Sequence, residues 1–173
     1  PDLRNPLSGK AVDAIQLVVD DLQGDAGISQ IVFTGADNAF ASGADLREIQ
    51  TLNEESAAGF AERGQRLMNS IDECVVPTAA FINGHCYGGG LDLALACRRR
   101  IASPNATFCH PGARLGIMTG WGGTQRLPRL IGEGRALELF LTAEPIDAVD
   151  ALRIGLVDGI SEDLVSMLRN EPI

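Results

Sequence analysis

The chain has 173 residues, 45% of them apolar and only 5% aromatic, and a formal charge of −9 at neutral pH. That length suits one domain, residues 1–173, burying about 70% of its unfolded surface. The acidic balance disfavours nucleic acid and anionic membrane as partners, and so few aromatics argue against a platform for stacking bases.

Ser8 predicts the cap of a helix over 8–22, with Ile15, Val18, Val19 and Leu22 on one face, ended by Gly24-Asp25-Ala26-Gly27. Residues 28–34 read as a β-branched strand. A small-residue loop over 35–46 leads into a short helix. Asn53 opens a longer helix whose buried stripe is Ala57, Phe60, Ala61, Leu67, Met68, Ile71 and Cys74. Residues 75–82 form an apolar strand, and 91–97 are a good helix-forming string. Short strands follow at 99–103 and 107–109, around a Pro104-Asn105 turn. A second glycine-rich loop spans 116–123 and carries the chain's one tryptophan, Trp121. Helices are predicted at 124–131 and 134–141, then one over 148–153 capped by Asp147, then a strand over 156–160. Strands alternating with helices predict an α/β fold.

Charge and cysteine usage narrow the partners further. Residues 1–73 carry 13 acids against 5 bases, and residues 74–173 carry 10 against 9. An anionic ligand would therefore need local rather than global attraction. Cys74, Cys86, Cys97 and Cys109 lie in apolar contexts without Cys-x-x-Cys spacing, which predicts buried, reduced thiols in a cytoplasmic protein. Cys86 adjoins His85 and Cys109 adjoins His110. Neighbours on an extended chain point to opposite faces, so each pair offers a metal one ligand, and no metal site is predicted. Residues 74–91 hold no charged side chain, but Pro77, Asn83 and the glycines break the run, so it does not read as a membrane span. No signal peptide is visible.

The centre of the sequence is Asn83-Gly84-His85-Cys86-Tyr87-Gly88-Gly89-Gly90-Leu91-Asp92, where a strand turns into a helix. Residues without Cβ let the backbone approach a ligand closely. The first N–H groups of a helix lack internal partners and sit at its positive end, so they suit a phosphate or an oxyanion. Neither Gly-x-x-x-x-Gly-Lys-[Ser/Thr] nor Gly-x-Gly-x-x-Gly is present, and there is no Gly-x-Ser-x-Gly elbow. The oxyanion reading remains, and it needs a second donor. Ala41-Ser42-Gly43-Ala44-Asp45-Leu46 has the same character, following a strand and opening a helix.

With both loops in view, the sequence resembles the crotonase (enoyl-CoA hydratase/isomerase) superfamily. The matching text is Asn38-Ala39-Phe40-Ala41-Ser42-Gly43-Ala44-Asp45-Leu46, Val76-Pro77-Thr78-Ala79-Ala80-Phe81-Ile82-Asn83-Gly84 and Gly88-Gly89-Gly90. It continues through Gly122-Gly123-Thr124-Gln125-Arg126-Leu127-Pro128-Arg129-Leu130-Ile131-Gly132 to Ala151-Leu152-Arg153-Ile154-Gly155-Leu156-Val157. The resemblance implies a spiral of ββα units acting on an acyl-CoA thioester, with no cofactor beyond the substrate's own coenzyme A. It implies an oxyanion hole from the N–H groups of Ala44 and Gly89. It further implies CoA and substrate contacts from Ala41, Ser42, Gly43, Asp45, Leu46 and Gly88, with His110 and Trp121 beside them. Arg47 is either a neighbour of CoA phosphates or a solvated helix residue. Relatives begin with a β-hairpin and end in helices that build trimers or dimers of trimers; the matched text here has neither.

Hydratases of this family use two glutamates, one activating water for attack at C3 and the other holding it and delivering a proton to C2. Asp92 stands at the first position and Gly112 at the second, in Phe108-Cys109-His110-Pro111-Gly112. Glycine there implies a gap where a carboxylate would sit. Asp92 near a helix start is expected to be held in its charged form, either as the remaining base or only as a helix-terminal acid. His110 is either structural or the missing titratable group. Gly112 with Gly120-Trp121-Gly122 also resembles the dihydroxynaphthoyl-CoA synthase branch, in which bicarbonate replaces the glutamate. The implied activities are therefore hydration or isomerisation, another enolate reaction of a CoA thioester such as decarboxylation, hydrolysis or ring closure, or acyl-CoA binding without catalysis.

Overall fold

The computed structural model describes residues 4–170. In chain order the elements are β1 (Pro6–Leu7), α1 (Gly9–Leu22), β2 (Ile31–Thr34), β3 (Ala39–Ala41), β4 (Gly43–Ala44), α2 (Leu46–Ile49) and α3 (Glu54–Asp72). Then come β5 (Thr78–Ile82), β6 (His85–Tyr87), α4 (Gly89–Ala96), β7 (Arg99–Ala102), β8 (Thr107–Cys109) and α5 (Gly112–Leu115). The chain continues with α6 (Gly123–Ile131), α7 (Glu133–Thr142), β9 (Ile146–Asp147), α8 (Ala148–Arg153), β10 (Gly159–Ile160) and α9 (Leu164–Asn170).

Successive strands go to two different sheets. One sheet has the order β10-β7-β5-β2 and the other β3-β6-β8-β9. Each strand pair thus gives one strand to each sheet, and the next pair adds alongside it: β2 with β3, then β5 with β6, then β7 with β8. Pairing is parallel throughout except between β8 and β9. Repetition of this step is the spiral of ββα units that the crotonase resemblance implies.

α4 lies at the middle of that spiral. Seven of its eight residues, Gly90 to Ala96, are buried, as expected for a helix apolar on nearly every side. Its neighbours in the main core include Phe40, Cys86, Phe108 and Leu127. Asp92 is the one charged residue in this helix, so the fold carries a carboxylate into the core.

Local caps fall where the side chains predict. Ser8 accepts from the Ala11 N–H, Asn53 makes a capping box with Ser56, and Asp147 accepts from the Asp150 N–H. Strands are shorter than their composition suggests, because only paired residues count. The 28–34 segment is strand from Ile31, 75–82 from Thr78, and 156–160 only at Gly159–Ile160. The predicted stripe of α3 is corrected at its start. Ala57 is exposed, and Phe60 and Ala61 are half-buried, because this end of α3 overhangs a cavity instead of the core.

Candidate active site

The two glycine-containing loops meet at one rim. Gly88, with φ 51°, turns the end of β6 into α4, and no side chain caps the helix. The first intrahelical bond runs from the Asp92 N–H to the Gly88 carbonyl at 3.0 Å. The N–H groups of Gly89, Gly90 and Leu91 therefore have no acceptor within the helix. Against them lies the β4 loop. A Cβ on Gly43 would stand 3.1 Å from the Gly89 nitrogen, and a Cβ on Gly89 3.3 Å from the Ala44 nitrogen. Only glycine fits at either place. Asn83 fixes this approach: its amide donates to the Asp37 carbonyl at 2.9 Å and accepts from the Gly35 N–H at 3.0 Å. The sequence reading gave Asn83 no role, although Asn-Gly between a strand and a loop signals a backbone clamp.

A cavity of about 250 Å³ opens beside the rim. Ala44, Gly89, Asp92 and Gly112 all border it, as do Ser42, Gly43, Leu46, Gly88, His110 and Trp121. Three expected contacts do not. Ala41 is buried in β3, where its carbonyl lies against Gly90. Asp45 caps α2 and accepts from the Arg47 side chain at 2.9 and 2.6 Å. Arg47 is thereby engaged as an ion pair, its side chain 70% exposed outside the cavity.

Asp92 is 1% exposed. The Thr119 hydroxyl donates to its Oδ2. Burial raises its pKa to about 7, against the Thr119 hydrogen bond, the Arg126 charge and the nearby Trp121 and Gly123 N–H groups. The expectation of a helix start holding Asp92 charged is corrected: removal from water outweighs the groups around it that favour the charge. Arg126 is set by donating to Asn69 Oδ1 at 2.8 Å and Asp72 Oδ2 at 3.2 Å, which ties α6 to α3. His110 Nε2 stands 3.6 Å from Asp92 Oδ1, and burial lowers its pKa to about 4. The Phe140 ring packs on it at 5.0 Å.

Apolar groups make up most of the remaining wall, among them Ile49, Leu52, Leu115, Ile117 and Met118. Trp121 is 4% exposed and lies tilted against Phe60 at 5.5 Å. Its indole stands where a Cβ on Gly64 or Gly89 would go. Among the described residues no three His, Cys, Asp or Glu side chains gather closely enough to hold a metal ion.

The chain matches the enoyl-CoA hydratase/isomerase family model over residues 1–170. It belongs to that family. The short-chain-enoyl-CoA hydratase of Clostridium acetobutylicum is 37% identical over 163 residues, 94% of this chain and 62% of the relative. The crotonyl-CoA hydratase of Syntrophomonas wolfei is 40% identical over 161 residues, 92% of this chain and 62% of the relative. The crystal structure of enoyl-CoA hydratase from Bacillus anthracis superposes with a TM-score of 0.87 at 37% identity, covering 96% of this chain and 65% of that one. The chain thus spans about three fifths of the length of these curated relatives.

One family-based expectation fails on geometry. Gly112 opens α5, and a Cβ there would lie 2.5 Å from the Ile117 carbonyl oxygen. The Ile117 N–H in turn donates to the Gly112 carbonyl at 3.0 Å. The direction a glutamate Cβ would take in this enoyl-CoA hydratase/isomerase family member is thus filled by backbone, although Gly112 itself borders the cavity. Among the described residues lining the cavity none is an arginine or a lysine, so no cationic side chain is present to hold a bicarbonate there.

Proposed function

We propose that this chain acts on an acyl-CoA thioester as a hydratase- or isomerase-type enzyme, through an enolate. The observation that carries the reading is the juxtaposition of the Ala44 and Gly89 nitrogens with a buried carboxylate whose pKa is about 7. In this reading the thioester oxygen accepts from both N–H groups. The pair stabilises the negative charge that develops on that oxygen more than it stabilises the neutral carbonyl. Removing one such donor typically costs about 10²–10³ in rate.

Asp92 is the acid/base in this proposal. Its raised pKa lies near working pH, where a group can both take and return a proton. A single carboxylate is enough to move a double bond, because the proton it removes from one carbon it returns to another. The second reading, isomerisation, is favoured by that one-carboxylate arrangement. No step is assigned to bicarbonate. The four buried free thiols support a reducing compartment such as the cytoplasm, and no helix among the described residues is long and apolar enough to cross a membrane. We also propose that copies assemble as trimers or dimers of trimers if the native chain carries the C-terminal helices of its relatives. Exposed Leu137 and Leu141 on α7 and Val149 on α8 support apolar association.

The test is a turnover screen over crotonyl-CoA, 3-enoyl-CoA and saturated acyl-CoA esters, with a parallel coenzyme A titration. Turnover of at least one ester, lost in Asp92→Asn by ~10²–10⁴-fold with binding intact, is expected. Tight binding with no turnover of any ester would establish a non-catalytic acyl-CoA binder instead.

A further inference from the structure

Neither ring nitrogen of His110 has a hydrogen-bond partner, although the residue is only 3% exposed. A histidine retained for structure normally satisfies at least one nitrogen, since an unmade buried hydrogen bond costs about 1–3 kcal/mol. Asp92 Oδ1 is in the same condition, while Oδ2 is engaged by Thr119. These unpartnered atoms face each other. Nε2 and Oδ1 are 3.6 Å apart, beyond a good hydrogen bond and closed to solvent as the chain stands, a separation that one oxygen atom would bridge at about 2.8 Å from each once the surrounding groups admit it. Both residues border the cavity.

The surroundings leave these two atoms to each other and to whatever enters. Phe140 packs tilted against the imidazole. Arg126 from α6 and Cys86 from β6 act on Asp92 through their charge or potential charge, without bonding it. The Trp121 and Gly123 N–H groups act on the carboxylate as weak hydrogen-bond donors, although neither reaches good hydrogen-bond geometry at Oδ1.

Resting on the thioester reading above, we propose that Asp92 and His110 form a carboxylate–imidazole pair that holds one reacting oxygen between Oδ1 and Nε2. That oxygen belongs to water in hydration and to the 3-hydroxyl in the reverse direction. The water oxygen bonds to C3 as its proton passes to Oδ1. The C2–C3 π electrons move onto the thioester, giving the enolate between Ala44 and Gly89. Return of the proton from Asp92 to C2 then completes the addition of one water and restores the carboxylate. His110 stays neutral and donates Nε2–H to the same oxygen, so it takes the water-holding part of the second glutamate from a different backbone position. Burial, which disfavours the imidazolium, keeps it in that state.

The chain has two histidines, so ring-¹⁵N spectra are assigned with a His85→Gln variant. The His110 Nε2 signal is expected to move on saturation with 3-hydroxybutyryl-CoA but not with coenzyme A alone. Binding of that ester with an unmoved Nε2 signal overturns the pair and leaves the thioester reading standing. Failure to bind it while another ester of the screen binds overturns the pair alone, and failure to bind any of these esters overturns both. In kinetics on the best substrate of the screen, His110→Phe should lower kcat ~10²-fold with KM little changed. His110→Gln, which keeps an N–H near the same place, should recover most of that loss. Full kcat in a folded His110→Phe protein also overturns the pair.

Discussion

At Asp92 burial raises the pKa while the Thr119 hydrogen bond, the Arg126 charge and nearby N–H groups lower it, and burial wins. Its folded pKa of about 7 stands above the ordinary 3.8, so the folded protein holds that proton more tightly than the unfolded chain. The resulting stability is fully present below about pH 4 and is lost as the pH rises through 7. Asp92→Asn cannot ionise. It should therefore match the native chain in thermal unfolding at pH 4 and exceed it at pH 8, by a margin of a few kcal/mol. A variant less stable at pH 8 would show that Thr119 and Arg126 already compensate the buried charge. Gly112 carries the opposite lesson. The sequence places it at the second acid position, but only the structure reveals the Ile117 carbonyl 2.5 Å from its Cβ direction. Gly112→Glu is thus expected to lower the melting temperature, with a cost of about 1–3 kcal/mol from overpacking, and to add no hydratase activity. Thr119 was not legible at all, because it meets Asp92 from 27 residues further along the chain.

Helix starts were readable because a cap is a local device: Ser8, Asn53 and Asp147 each bond an N–H two or three residues ahead. Strands were readable only as apolar segments. Their ends are set by partners far along the chain, and His85–Tyr87 was hidden because its pairing with β3 and β8 leaves no local pattern in three residues. The fit of α3 against the 116–123 loop was equally hidden. Gly64 lies inside α3 under the Trp121 indole, where any Cβ would collide with the ring. Helix propensity alone says Gly64→Ala stabilises by about 1 kcal/mol. The packing says the reverse, with a net loss of about 1–2 kcal/mol once the collision is included. Denaturant unfolding decides between them, and a rise in midpoint would show that the indole moves aside freely.

At the scale of the molecule, both sheets and α4 serve to bring two loops and one carboxylate together. The loops were legible as motifs, through their glycines and their place between strand and helix. Their approach was not, since it depends on Asn83 and on Gly43 lying against Gly89. Light scattering on the 173-residue chain should report association rather than a clean monomer, given Leu137, Leu141 and Val149 at its surface; a stable monomer would remove the support for trimers. The central claim is that this arrangement stabilises an enolate of a CoA thioester, whichever reaction follows. Exchange of the C2 hydrogens of butyryl-CoA in D₂O, followed by proton NMR, reads enolate formation without assuming a product. The account predicts exchange that rises with pH through about 7, the Asp92 value, and that disappears in Asp92→Asn. Butyryl-CoA that binds the protein yet keeps its C2 hydrogens across that range would contradict it.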